Sequence, residues 1–101
     1  GALMETVVVA EWVKAFRSRG ERPEIHFWRS SSGHEVDIVI ERGARLYGLE
    51  VKATATPTPA HAASLAQWVN LSGGLGALAC RVPLPNTLRP GIRAVPWHLG
   101  W

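Results

Sequence analysis

At 101 residues, with 47% hydrophobic and 19% charged residues, the chain is long enough for one modest core and is neither disordered nor fibrous in composition. The net charge of +3 permits an anionic partner without demanding one. A single cysteine, Cys80, excludes an internal disulfide and fits a reducing compartment, read here as the cytoplasm; no apolar run reaches the length of a membrane span and no signal peptide stands out. Cys80 closes the apolar run Ala77-Leu78-Ala79-Cys80, which suits a core residue better than a nucleophile.

Gly1 leads directly into a helical pattern, so residues 1–101 are read as one domain cut from a longer protein. Ala2 to Arg19 has the spacing of a helix, stopped by Gly20 and Pro23. At 100° per residue, Val8, Val9, Trp12 and Phe16 fall within about 60° of Glu5, while Glu11 and Lys14 fall on the polar side. Glu5 is thus either a carboxylate on the core-facing stripe that needs a metal or a Lys as partner, or a residue of an exposed first turn. Lys14, Arg17, Arg19, Arg22 and Arg29 make the first third basic, offset by Glu21 and Glu24. They serve either phosphate contacts, which weaken steeply with salt, or a solvated helix face.

Glu24 to Arg29 alternates as a strand, with Ile25 and Phe27 on one face and His26 and Trp28 on the other. Ser30-Ser31-Ser32-Gly33 is a polar loop, and His34 precedes the next strand, where it is either near a site or simply a loop residue. Val36 to Ile40 and Leu46 to Val51 form a hairpin around Arg42-Gly43-Ala44. Strict alternation puts Val36, Ile38 and Ile40 on one face and Asp37 with Val39 on the other. On the second strand Tyr47, Leu49 and Val51 oppose Leu46, Gly48, Glu50 and Lys52. Asp37 and Glu50 can then meet, with Lys52 one step on. Two carboxylates that close are costly without a cation between them, and hard oxygen ligands suit Mg²⁺ or Mn²⁺. The plainer alternative is a solvated sheet face that carries charges for no further purpose.

Thr54 to Pro59 is a connector, and Thr58 caps a helix with Pro59 at its first position, running to about Leu71 with Ala62, Leu65, Ala66, Trp68 and Val69 on the buried side. Ser72-Gly73-Gly74 ends it; without a following Lys-Ser/Thr pair these glycines make no phosphate loop. Leu75 to Val82 reads as a buried strand and Pro83 to Gly91 as loop. Ile92 to Leu99 contains Pro96 and so can add only an edge strand. A helix between the third and fourth strands implies a crossover and a mixed sheet.

The order of these features resembles the PD-(D/E)xK, or restriction-endonuclease-like, superfamily: a helix acid at Glu5, Asp37 on a strand, Glu50-Val51-Lys52 on the next, then a crossover helix. The runs Gly1-Ala2-Leu3-Met4-Glu5, Val9-Ala10-Glu11, Phe27-Trp28-Arg29 and Ser32-Gly33-His34-Glu35-Val36-Asp37 look more specifically like the uncharacterised domain found C-terminal to AAA+ ATPase modules in prokaryotic predicted ATPases. The residue before Asp37 is Val36 rather than Pro. The resemblance implies an α/β fold with a restriction-endonuclease-like core of helix, three strands, helix and strand, its mixed sheet flanked by helices. It implies Mg²⁺ or Mn²⁺ held by Asp37, Glu50, the Val51 carbonyl and Glu5, with Lys52 orienting or deprotonating the attacking water. The expected reaction is phosphodiester hydrolysis of nucleic acid, DNA above all, and the expected partner within the same chain is an N-terminal ATPase portion. The alternatives are a catalytically inactive module of this fold that binds nucleic acid or protein and regulates the ATPase, and a structural appendage that docks on it.

Overall fold

The computed structural model describes residues 24–97 together with Ala10, Glu11, Lys14 and Arg17. Those four residues have helical backbone and are exposed, and Lys14 Nζ lies 3.7 Å from Glu11 Oε1, as the polar side of the expected first helix requires. Glu5 lies outside the described residues.

Six strands form one mixed sheet: β1 (Glu24–Arg29), β2 (Glu35–Arg42), β3 (Arg45–Val51), β4 (Leu75–Cys80), β5 (Asn86–Arg89) and β6 (Ile92–Pro96). Their spatial order is β1-β2-β3-β4-β6-β5. The β1–β2, β2–β3 and β5–β6 pairs are antiparallel; β3–β4 and β4–β6 are parallel. The β2–β3 turn is the two residues Gly43-Ala44, and Gly43 adopts the positive φ of 62° that such a turn needs at its first position.

Between β3 and β4 the chain crosses over through a 3-10 turn (Pro59–Ala62) that continues into α1 (Ala63–Ser72). Thr58 is extended at the start, with Pro59 just inside, and its N–H donates to His61 Nδ1 at 2.9 Å. At the other end Gly73 takes the left-handed conformation at φ 73°, and its N–H returns to the Val69 carbonyl. The sheet is apolar on both faces, as central strands beside parallel neighbours require. One face packs Val36, Val39, Leu78 and Ile92 against Ala62, Leu65 and Trp68 at the helix. The other gathers Ile38, Ile40, Leu49, Val51 and Ala79.

Three expectations need correction. Residues 83–91, read as loop, contain β5, whose four residues are too few and too polar to show a strand pattern. The last strand is not at the edge: β6 lies between β4 and β5. Pro96 is tolerated there because it is the final residue of β6. The Trp97 N–H carries the ladder on to the Cys80 carbonyl, so Pro96 faces the β5 side, where pairing already ends at Asn86↔Ala94.

The third correction concerns β2. His26 pairs with Val39 but Trp28 pairs with Val36, so β1 advances two residues while β2 advances three. That is a β-bulge, with Asp37 and Ile38 together opposite Phe27. It rotates Val36 onto the helix side with Val39, away from Ile38 and Ile40, whereas strict alternation had grouped Val36 with the two isoleucines.

Candidate functional site

Pairing between β2 and β3 runs from Arg42↔Arg45 to Ile38↔Leu49 and stops there. The next N–H of β3 that faces β2 belongs to Val51. In a continued ladder it would reach a backbone carbonyl. Instead Asp37 Oδ2 accepts it at 2.8 Å. The bulge supplies the reason, since the additional residue in β2 displaces the backbone partner and leaves the Asp37 side chain to satisfy the donor. The carboxylate is thereby held in the sheet plane, at the open end between two strands. A strand residue aims its N–H and C=O to the same side, so the Val51 carbonyl also faces β2.

Glu50 and Lys52 flank Val51. Leu49 and Val51 pack on the sheet face away from α1, so Glu50 projects toward the helix side, in line with Gly48 beneath Leu65 and Trp68. It is 7% exposed and is the one buried charged residue among those described. Lys52 Nζ lies 3.8 Å from Glu50 Oε1, with the lysine side chain 42% exposed. That geometry offsets the carboxylate's burial while the ammonium keeps part of its hydration. Asp37, Glu50 and Lys52 therefore surround a single peptide, Val51, at one end of the sheet. Among the described residues no group of three or more His, Cys, Asp or Glu side chains comes together as a metal cluster. The donors present here are two carboxylates and a carbonyl, and the third expected acid, Glu5, lies outside the described residues.

The same end of the sheet carries further polar groups: His34, for which the sequence left a site position and a plain loop position open, and two helix residues that pattern reading did not place. His34, just before β2, joins its Nδ1 to Ser64 Oγ on the first turn of α1 at 2.9 Å. One turn further along that flank of the helix, Gln67 Oε1 is buried with no hydrogen-bond partner among the described residues. The signal for both was present as Ser64 and Gln67, whose three-residue spacing aligns them on one side of the helix. Cys80 is core, as expected: it is fully buried, its Sγ donates to the Leu78 carbonyl at 3.6 Å, and burial pushes its thiol pKa up against a smaller lowering from the Val82 backbone. A recess of about 440 Å³ lies at the opposite end, between the β2–β3 turn and the C-terminus of α1. Among the described residues, Arg45 is the only ionisable side chain that lines it, and none of the groups around Val51 does.

No helix among the described residues is long and apolar enough to cross a membrane. No curated protein matches the chain. The family described as Domain of unknown function (DUF4143) matches residues 1–97, nearly the whole length. The chain belongs to that family, whose members are often found C-terminal to AAA ATPase modules.

Proposed function

We propose that this domain is a PD-(D/E)xK-type nuclease module, with a restriction-endonuclease-like core, that hydrolyses phosphodiester bonds of nucleic acid, DNA above all, with the help of a divalent metal. The observation that carries this reading is the Asp37 carboxylate bonded to the Val51 N–H where β2 and β3 part, with Glu50 and Lys52 on either side of the same peptide. The strand order supports it too: three antiparallel strands, a crossover helix, then a strand parallel to the third. The full chain would place an ATPase portion before this domain.

The residues fit a hard divalent ion. Mg²⁺ is commonly held by one or two carboxylates, with water and substrate phosphate completing its shell, and Asp37, Glu50 and the Val51 carbonyl offer that kind of donor set. Glu5 is the proposed additional ligand. Bound there, Mg²⁺ or Mn²⁺ would supply Lewis acidity toward the phosphate and an acidified water. The chain's own contribution is positional and electrostatic. The Val51 N–H fixes the orientation of Asp37. Lys52, half in solvent beside Glu50, is suited to orient or deprotonate the attacking water and to offset charge that develops on the phosphate oxygens.

The test is cleavage of plasmid and branched DNA with Mg²⁺ or Mn²⁺. Wild-type protein should cleave, and Asp37→Ala and Lys52→Ala should each lose about 10²-fold or more in rate. Equal cleavage by all three proteins would reveal a contaminant and end the assignment. A second reading is a catalytically inactive module of the same fold that binds nucleic acid or protein and regulates the ATPase. The Lys52–Glu50 pair favours it, because an ion pair that shields a buried carboxylate serves the fold without any chemistry. It predicts binding that survives Lys52→Ala and no cleavage.

A further inference from the structure

The loop from Ser30 to His34 is ordered by its own hydrogen bonds. The Ser30 N–H donates to the His34 carbonyl at 2.8 Å and the Gly33 N–H to the Ser30 carbonyl at 3.1 Å. The His34 N–H donates to Ser30 Oγ at 3.0 Å, and Ser30 Oγ and Ser32 Oγ lie 2.9 Å apart. The His34 ring is then tied across the sheet end to Ser64 through Nδ1. One ring nitrogen is consumed in that tie. The other, Nε2, has no hydrogen-bond partner among the described residues, and His34 is half-buried rather than enclosed. A merely structural clasp needs one polar atom. An imidazole fixed at one nitrogen and open at the other is a preorganised donor.

Its position is informative. Val36, two residues on, packs against Ala62 and Leu65, so the imidazole stands on the helix side of the sheet. Glu50 projects to that same side, and Lys52 pairs with it at the same end of β3. We infer that His34 Nε2–H donates a hydrogen bond to a non-bridging phosphate oxygen of a nucleic-acid backbone entering this site, and that Ser64 is its positioning residue. With Ser64 Oγ–H donating to Nδ1, the neutral ring carries its proton on Nε2, which is the form the role needs. Lys52, at the same end of β3, supplies the longer-reaching positive charge that the neutral ring does not. The inference rests on the nuclease reading for the identity of the ligand, but not on catalysis.

The experiment measures binding of fluorescently labelled single-stranded, duplex and branched DNA by anisotropy without divalent metal, alongside the cleavage assay. His34→Asn is the decisive variant. Its amide can keep the bond to Ser64 but cannot reach the Nε2 position. Affinity for the preferred DNA should fall about tenfold, the weight of one hydrogen bond to a charged oxygen, with the melting temperature unchanged. Ser64→Ala should weaken binding less, Ser64→Thr should restore it, and the His34→Asn/Ser64→Ala pair should lose no more than His34→Asn alone. Wild-type affinity in His34→Asn overturns the inference and leaves the nuclease reading intact if cleavage is seen. Binding that depends on His34 without any cleavage retains the inference and removes the nuclease reading. A wild-type protein that binds none of the three DNAs overturns the inference.

Discussion

Two regions built from the same strands are organised in opposite ways. Under α1, Gly48 and Gly76 let the helix approach so closely that a Cβ at Gly48 would come within 2.7 Å of the Trp68 ring and one at Gly76 within 3.4 Å of Leu65. Leu65 and Trp68 are buried in an apolar cluster there. A few residues along β3, at Glu50, Val51 and Lys52, a carboxylate is buried beside a half-exposed lysine, and a backbone N–H is satisfied by a side chain because the ladder has ended. The first region contributes stability through packing. The second spends some of it to keep charge at a fixed place, the pattern expected where a fold holds a site.

The comparison breaks first at Trp68. Trp68→Ala should cost about 3–5 kcal/mol in chemical denaturation, enough to threaten the fold of so small a domain. A loss under about 1 kcal/mol would mean that the helix–sheet contact is not the main support. Next comes Gly48→Ala, expected to cost about 1–3 kcal/mol through overpacking against Trp68. Combining it with Trp68→Leu should recover part of that loss, since the smaller ring-free side chain makes room for the methyl group; strict additivity would locate the strain elsewhere.

At the other region the sign reverses. Glu50→Gln removes a buried charge while keeping shape, and Lys52 is exposed enough to be solvated alone. Stability should hold or rise by about 1 kcal/mol, and on the proposed nuclease reading metal-dependent cleavage should disappear. A large destabilisation would recast Glu50 as a structural ion-pair member. The smallest effect belongs to Cys80, in the dry core with Val82 and Ala94. Its thiol pKa is raised by burial above the ordinary 9.0, so the folded state favours the neutral form. Below that ordinary value both states are protonated and nothing is lost; as pH rises past it the unfolded chain ionises first and stability falls until the folded pKa is passed. Cys80→Ala should flatten this alkaline decline in a pH series of melting temperatures, and an unchanged slope would assign the decline to other groups.

Much of this was legible in the chain. Glu24–Arg29 was readable to the residue, the hairpin followed from Gly43 between two apolar runs, and Gly73 marked the end of the crossover helix, while Thr58-Pro59 marked the 3-10 turn that leads into it rather than α1 itself. These signals are local, set by φ restrictions and side-chain period. The candidate site was legible as residue types and as the Glu50-Val51-Lys52 spacing. What holds Asp37 was not, because a bulge depends on how β2 registers against β1. Period-two counting therefore placed Val36 on the wrong face.

The sequence by itself determined β1, the β2–β3 hairpin, the crossover helix and β4, the turns between them, and the two-residue spacing of Glu50 and Lys52. Only the tertiary structure decided that β6 inserts between β4 and β5, that Asp37 takes over a backbone bond from a ladder that has stopped, and that His34 and Ser64, thirty positions apart, share a hydrogen bond. The physical reason is range. Propensity and periodicity act over a few residues, whereas strand neighbours, register shifts and contacts across a crossover arise from burying both faces of the sheet at once.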